Sequence, residues 1–274
     1  MREGLRKSGY IEGQNVIFDF RSAQGRLDLL PNLAAELVEL KVDVIVALYT
    51  PCAVAAQQAT REIPVVIVAA NPVEMGLIAS LARAGGNLTG VSLMAAEAHG
   101  KCVELFHDML PSVRRVAALG NTSDPFSKLF LEQVQVASRS TGIEIAPAVM
   151  VRGPDQIEAA FAAMKNDGAG AVVVQGSLST RNVAELAIKH RLPAATFTRS
   201  FAEVGGLMAY GPDATDSFRR AGFFTIKVLQ GGKPAEMPVE QPTKFELVLN
   251  LGTAKTLGLT IAESFLLRAD TVIE

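Results

Sequence analysis

Short β-branched runs alternate along this chain with longer stretches whose apolar residues recur every three or four positions, a pattern that a parallel α/β sheet satisfies. Strands are expected at 15–20, 42–48, 65–68 and 88–91, with helices over 27–40, 53–60 and onward from Val73. A helix over 96–109 leads to Pro111, and the alternation restarts. Its strands are expected at 115–119, 143–149, 171–174, 194–197 and 207–209, and its helices at 125–140, 155–165 and 180–190. Two similar series in 274 residues imply two lobes of ordinary domain size.

The stretch VVIVAANPVEMGLIASLA at 65–82 displays the repeated corner: a buried strand, a small polar residue, a proline, then helical spacing. Thr50-Pro51, Asn71-Pro72 and Asp124-Pro125 share it, and Tyr210-Gly211-Pro212-Asp213 repeats it after 207–209. In an open parallel sheet such corners lie at the carboxyl ends of the strands, where these folds bind ligands. Helix N-termini there suit a carboxylate or other anion. Each polar residue either caps its own helix or faces a ligand. Tyr49, Phe126 and Tyr210 stand beside the corners in a chain with no Trp and only three Tyr, which suits an aromatic-lined pocket as well as packing.

Several functions are disfavoured. A formal charge of -2 argues against nucleic acid as a partner, and Arg114-Arg115 and Arg219-Arg220 read as solvated element ends. No GxGxxG or GxxxxGK[ST] loop follows a strand, so no nucleotide cofactor is expected, and the missing GxSxG and HExxH motifs leave hydrolysis without an obvious nucleophile or metal. His99, His107 and His190 lack metal-ligand spacing. Cys52 and Cys102 could form one disulfide but no framework. No apolar run reaches the length of a membrane span, and MREGLRKSGY has no signal-peptide core.

REIPVVIVAANPVEMGLIASLARAGGNLTGVS at 61–92, RLPAATFTRSFAEVGGLMAYGPD at 191–213, the tail from VLQGGKPAEMPVEQPTKFELVLNLGTAKTLGLT onward, and REGLRKSGYIEGQNVIFDFR near the start carry a likeness that spans almost the whole chain. They resemble the ABC-transporter substrate-binding family that includes tryptophan-type binding proteins. The resemblance implies a type 1 periplasmic-binding fold: two Rossmann-like, doubly wound α/β lobes with a ligand cleft between them, closing on a small solute for a membrane permease. It implies lobes of residues 1–92 plus 212–240 and 93–211 plus 241–274. The first-lobe wall would use Tyr49, Thr50, Asn71, Pro72, Thr89 and Ser92. The second would use Asn121, Ser123, Asp124, Phe126, Ser177, Thr198, Arg199 and Tyr210.

Two departures stand out. Asn71 occupies a position where many relatives carry Asp, which changes the charge that is welcome there, and QGS at 175–177 matches no motif of the family closely. The family also has a strand ahead of the helix expected at 1–8. That strand would lie between 15–20 and 42–48, and leaving it out would set its neighbours roughly 9 to 10 Å apart, two interstrand spacings. Either the reading frame starts upstream of Met1, giving a periplasmic protein or membrane-anchored lipoprotein, or Met1 is the true start of a cytoplasmic chain that borrows a strand, as from another copy in a homodimer. The expected function is a non-catalytic receptor for an amino acid or small aromatic or apolar carboxylate, without a cofactor. The alternative is a ligand-sensing module of the same fold.

Overall fold

The computed structural model describes residues 1–146 and 148–274. In chain order the elements are α1 (Arg2–Lys7), α2 (Leu30–Glu39), β1 (Ile45–Leu48), α3 (Thr50–Ala59), β2 (Val65–Ala69), β3 (Leu88–Ser92), α4 (Ala95–Met109), β4 (Arg115–Asn121), α5 (Ser127–Thr141), β5 (Glu144–Ile145) and β6 (Val149–Val151). There follow α6 (Ile157–Asn166), β7 (Ala171–Val174), α7 (Arg181–Lys189), β8 (Ala194–Thr196), α8 (Arg199–Glu203), β9 (Met208–Pro212), α9 (Ala214–Leu229), β10 (Val239–Glu240), β11 (Phe245–Asn250), α10 (Leu251–Thr256), α11 (Glu263–Leu266) and β12 (Thr271–Ile273).

The chain divides into two compact units, one of Met1–Met94 with Ala214–Thr243, the other of Ala95–Asp213 with Lys244–Glu274. The first is built on a parallel sheet in the order β1-β2-β3-β10. All of β2 is buried, because α3 packs against it and α9 lies across β2 and β3. Ile67 on β2 shares one core with Ala53 and Ala56 of α3. Alanine is what lets α3 approach so closely. Gly90 in the middle of β3 has φ 138°, and a Cβ there would fall 2.1 Å from the carbonyl oxygen of Ile67, so only glycine permits this strand spacing.

The second unit carries a sheet ordered β12-β11-β9-β8-β7-β4-β5, with β6 also on β4. Its strands run parallel except where β11 meets β9. Small residues on β4 and β7 pack against Phe161 of α6 and Val183 of α7, while α4 and α5 pack together. No helix among the described residues is long and apolar enough to cross a membrane.

Four sequence expectations are corrected. Residues 15–20 form no strand; the sole ladder element nearby is a bridge between Glu12 and Val16, and Ile17 and Phe20 are 82% and 78% exposed. With no strand among the described residues beside it on that side, β1 is an edge, and the extended segment at 15–20 does not pair with it. Val73 starts no helix: the Pro72 carbonyl accepts from both Leu77 and Ile78 N–H, and Gly76 at φ 67° turns the chain, so Leu77 and Ile78 reach the core from turns. The strand expected over 143–149 is split into β5 and β6, and Pro147, inside that range, lies outside the described residues. Gly211 and Pro212 are no corner, because β9 runs through them and Gly211 pairs with Glu246 of β11. Cys52 and Cys102 are not joined in a disulfide.

Candidate functional site

In the first unit, three strands each end in a non-glycine residue with left-handed backbone: Tyr49 after β1 (φ 71°), Asn71 after β2 (φ 39°) and Met94 after β3 (φ 46°). Side chains rarely adopt this region, and such residues gather where the backbone is held for a purpose. The corners are tied together. Tyr49 N–H donates to Val68 O (2.7 Å), Ala70 N–H donates to Thr50 Oγ1 (3.0 Å), and Leu93 N–H donates to Ala69 O (2.8 Å). Ser92 Oγ accepts from Met94 N–H at 3.3 Å. Tyr49 is half exposed, whereas Thr50, Asn71, Pro72 and Ser92 are buried. Thr89 stands apart: fully buried within β3, its hydroxyl donates to Pro238 O at 2.9 Å and holds the segment entering β10.

In the second unit the end of β4 and the loop into α5 form a dense polar corner. Asn121 Oδ1 accepts from Ser123 N–H (2.9 Å), Asp124 Oδ1 accepts from Phe126 N–H (2.9 Å), and the Ser127 hydroxyl donates to Asn121 O and Asp124 O. These local turns explain why Asn and Asp stand there. From β7, Gln175 reaches across the sheet, its Oε1 accepting from Asn121 N–H at 2.8 Å. Gln175 is fully buried and its Nε2 makes no hydrogen bond. Sequence reading missed it, because a glutamine in QGS carries no signal until the fold sets β7 beside β4. Gly176 follows, and a Cβ on it would fall 2.2 Å from the Phe197 ring, so glycine lets the end of β7 approach that aromatic.

Burial raises the Asp124 carboxyl above its ordinary pKa, and the Phe126 N–H, Ser177 hydroxyl and Gln175 amide offset this in part. The amide is therefore near Asp124 without forming a hydrogen bond to it. Ser123 and Ser177 are exposed at this corner, and Phe126 is buried beneath it. Below lies His99, with ring centroids 4.8 Å from Phe130, 5.2 Å from Phe197 and 5.9 Å from Phe126. His99 Nδ1 lies 2.5 Å from Ala95 O, its Nε2 is unpartnered, and burial lowers its pKa to about 4. Cys102, buried on the same helix, has its thiol pushed up to about 12 by burial and is no reactive thiolate.

The remaining candidates spread along the sheet. Thr198 Oγ1 is buried without a hydrogen bond at the start of α8. Arg199 is committed: its Nε donates to Glu203 (2.8 Å) and its guanidinium to Glu246 (2.9 Å). Tyr210 stacks on Phe245 with centroids 5.7 Å apart. Among the described residues no group of three or more His, Cys, Asp or Glu is arranged to hold a metal.

A family model described as ABC transporter substrate binding protein matches residues 1–273. The chain is 27% identical over 261 residues to a tyrosine-binding protein of Clostridioides difficile strain R20291, covering 94% of this chain and 75% of that one. An ABC domain from Streptococcus pneumoniae, solved in complex with L-Trp, superposes with a TM-score of 0.91 at 28% identity, over 99% of this chain and 92% of that one. A conserved domain protein from Vibrio cholerae O1 biovar El Tor strain N16961 superposes with a TM-score of 0.92 at 25% identity, over 98% and 92% of the two chains. The parallel α/β units and their polar strand ends accord with the type 1 periplasmic-binding fold of these neighbours. With the family match running through both units, the chain belongs to the ABC transporter substrate-binding protein family.

Proposed function

We propose that this receptor binds an amino acid with an aromatic or apolar side chain, without turnover, and presents it to the permease of an ABC importer outside the cytoplasmic membrane. The observation that carries the reading is that two relatives similar over nearly the whole chain, from different organisms, are a tyrosine-binding protein and a domain complexed with L-Trp. In the first unit the polar corner at Tyr49, Thr50, Asn71 and Ser92 would supply hydrogen bonds. In the second, Asn121, Ser123, Asp124, Ser177 and Thr198 would do so, with Phe126 and Tyr210 as apolar surface. The sensing role left open by the sequence gains no support from the family assignment.

Calorimetric titration with L-tryptophan, L-tyrosine and L-phenylalanine, against L-leucine, L-arginine and L-glutamate, tests this. The expected result is saturable one-to-one binding of an aromatic member and its recovery unchanged by mass spectrometry. At solute about 100 times Kd the same binding should stabilise the fold by about 2.7 kcal/mol. Tight binding of L-arginine or L-glutamate alone, or conversion of the bound solute, would overturn the reading.

A further inference from the structure

We propose that Asp124 is the residue that receives the solute's protonated amine, so that this receptor discriminates amino acids from the same molecules lacking the amine. The inference rests on the reading of the protein as a receptor for a small amino-acid solute, and assigns one of that site's groups a specificity role.

Asp124 sits at the carboxyl end of β4, in the loop that enters α5, where it is 6% exposed. Its Oδ1 accepts from Phe126 N–H. The groups around it are neutral: that N–H, which donates to it, the nearby Ser177 hydroxyl and the nearby Gln175 amide; no Lys, Arg or His among the described residues is paired with it. Two other carboxylates of this unit differ. Glu203 and Glu246 are both bound by Arg199. Asp124 is thus a carboxylate largely withdrawn from water with no counter-charge, an arrangement that is costly unless a cation joins it. An ammonium brought by a solute supplies that charge, together with a charge-assisted N–H···O hydrogen bond. A solute carrying only a carboxylate brings a like charge to the same place and is repelled.

Gln175 is a positioning residue in this scheme. Its Oε1 holds Asn121 N–H and thereby the start of the loop, while its unpartnered Nε2 keeps a donor facing the carboxylate's surroundings. Gly176 lets this strand end lie close to Phe197. Gln175 thereby anchors the start of the loop that carries Asp124, and Phe126 N–H holds the carboxylate within that loop.

The test uses the whole chain and four matched pairs by calorimetry: L-tryptophan with indole-3-propionate, L-tyrosine with 3-(4-hydroxyphenyl)propionate, L-leucine with 4-methylpentanoate, and L-glutamate with glutarate. In whichever pair binds, the amine-bearing member should bind at least about 100-fold more tightly. Asp124→Asn keeps an acceptor for Phe126 N–H and should weaken that member at least about 30-fold, while the deaminated partner binds no worse than to the wild-type protein. Cooperative unfolding of Asp124→Asn checks that the variant is folded. If the tight pair is L-glutamate with its amine required, the aromatic or apolar reading falls and the role of Asp124 stands. Comparable binding of amine-bearing and deaminated partners to the wild-type protein overturns the inference, as does an Asp124→Asn protein that retains the preference, or a wild-type protein that binds no amine-bearing member. Where the variant fails to fold, comparable binding of the two members of a pair to the wild-type protein still overturns the inference, and Asp124→Glu, which keeps the charge, should keep the preference.

Discussion

His99 is enclosed by Phe126, Phe130 and Phe197, with the carbonyl of Ala95 giving its proton only partial support. Its folded pKa of about 4 lies below the ordinary histidine value of 6.5, so the unfolded chain takes up a proton that the folded one refuses. Stability from the neutral ring is complete above pH 6.5 and is lost as pH falls toward about 4, by at most about 3 kcal/mol. Urea unfolding at pH 7 and pH 4.5 should show that loss, and His99→Gln should flatten it; an equal pH dependence in the variant would count against His99 as its source. Asp124 has the opposite sign. Its raised pKa means that its contribution is lost as pH rises, so at neutral pH its ionised form opposes folding. Asp124→Asn without solute should accordingly unfold at or above the wild-type temperature, and a clear drop would mean that the carboxylate holds the loop together. Asn71 poses a different choice, since its φ of 39° rewards Asn for tolerating left-handed backbone, quite apart from any solute. Asn71→Gly removes the side chain without adding backbone strain. It should weaken solute binding about tenfold or more, a change of about 1.4 kcal/mol, while stability moves by less than about 1 kcal/mol. Unchanged affinity would leave Asn71 as a backbone residue only.

Among the elements, β2 and β3 set the tightest constraint. Gly90→Ala places a methyl group against the Ile67 carbonyl, a backbone atom that no side-chain rotation can move aside. Denaturant unfolding should show a loss of at least about 3 kcal/mol, and a loss below about 1 kcal/mol would mean that the two strands can separate without harm. This region was also the most legible in the sequence, because VVIV between Pro64 and Ala69 is long enough in β-branched residues to exclude other readings. Legibility failed where local pattern and tertiary context part. Val73, Leu77, Ile78 and Leu81 have helical spacing, yet glycines at 76, 85 and 86 take left-handed conformations and the segment turns instead. Asn15 to Phe20 has strand residues but no partner, and strand propensity without a ladder forms nothing. At the candidate site, Asn121 and Asp124 could be read from their turn chemistry. Gln175 could not, because its partner lies 54 residues away. The full pairing of Arg199 was equally hidden, since Glu246 comes from a distant strand.

At the scale of the molecule, the chain passes from one unit to the other at 94–95, 213–214 and 243–244, yet each unit has its own sheet and core. The two sheets are unequally protected. The second unit's sheet has eight strands, whereas the first has four, one of them only the two residues of β10. On the far side of β1 no strand pairs among the described residues, and the adjacent extended segment exposes Ile17 and Phe20. An unpaired parallel edge leaves backbone groups to water and costs cooperativity, so the first unit should open first. Hydrogen exchange followed by mass spectrometry should find Ile45–Leu48 exchanging well before Ala171–Val174. Appending an engineered strand of about five or six apolar residues ahead of Met1, through a short linker into α1, should pair β1 and bury Ile17 and Phe20. Protection of β1 should then rise and the lower-temperature phase of unfolding should move upward, with the second unit's exchange unchanged. If the extended protein shows no added protection at β1, or if β1 of the original chain already exchanges as slowly as β7, the edge is not the weak place of the fold and the exposed apolar residues need another explanation.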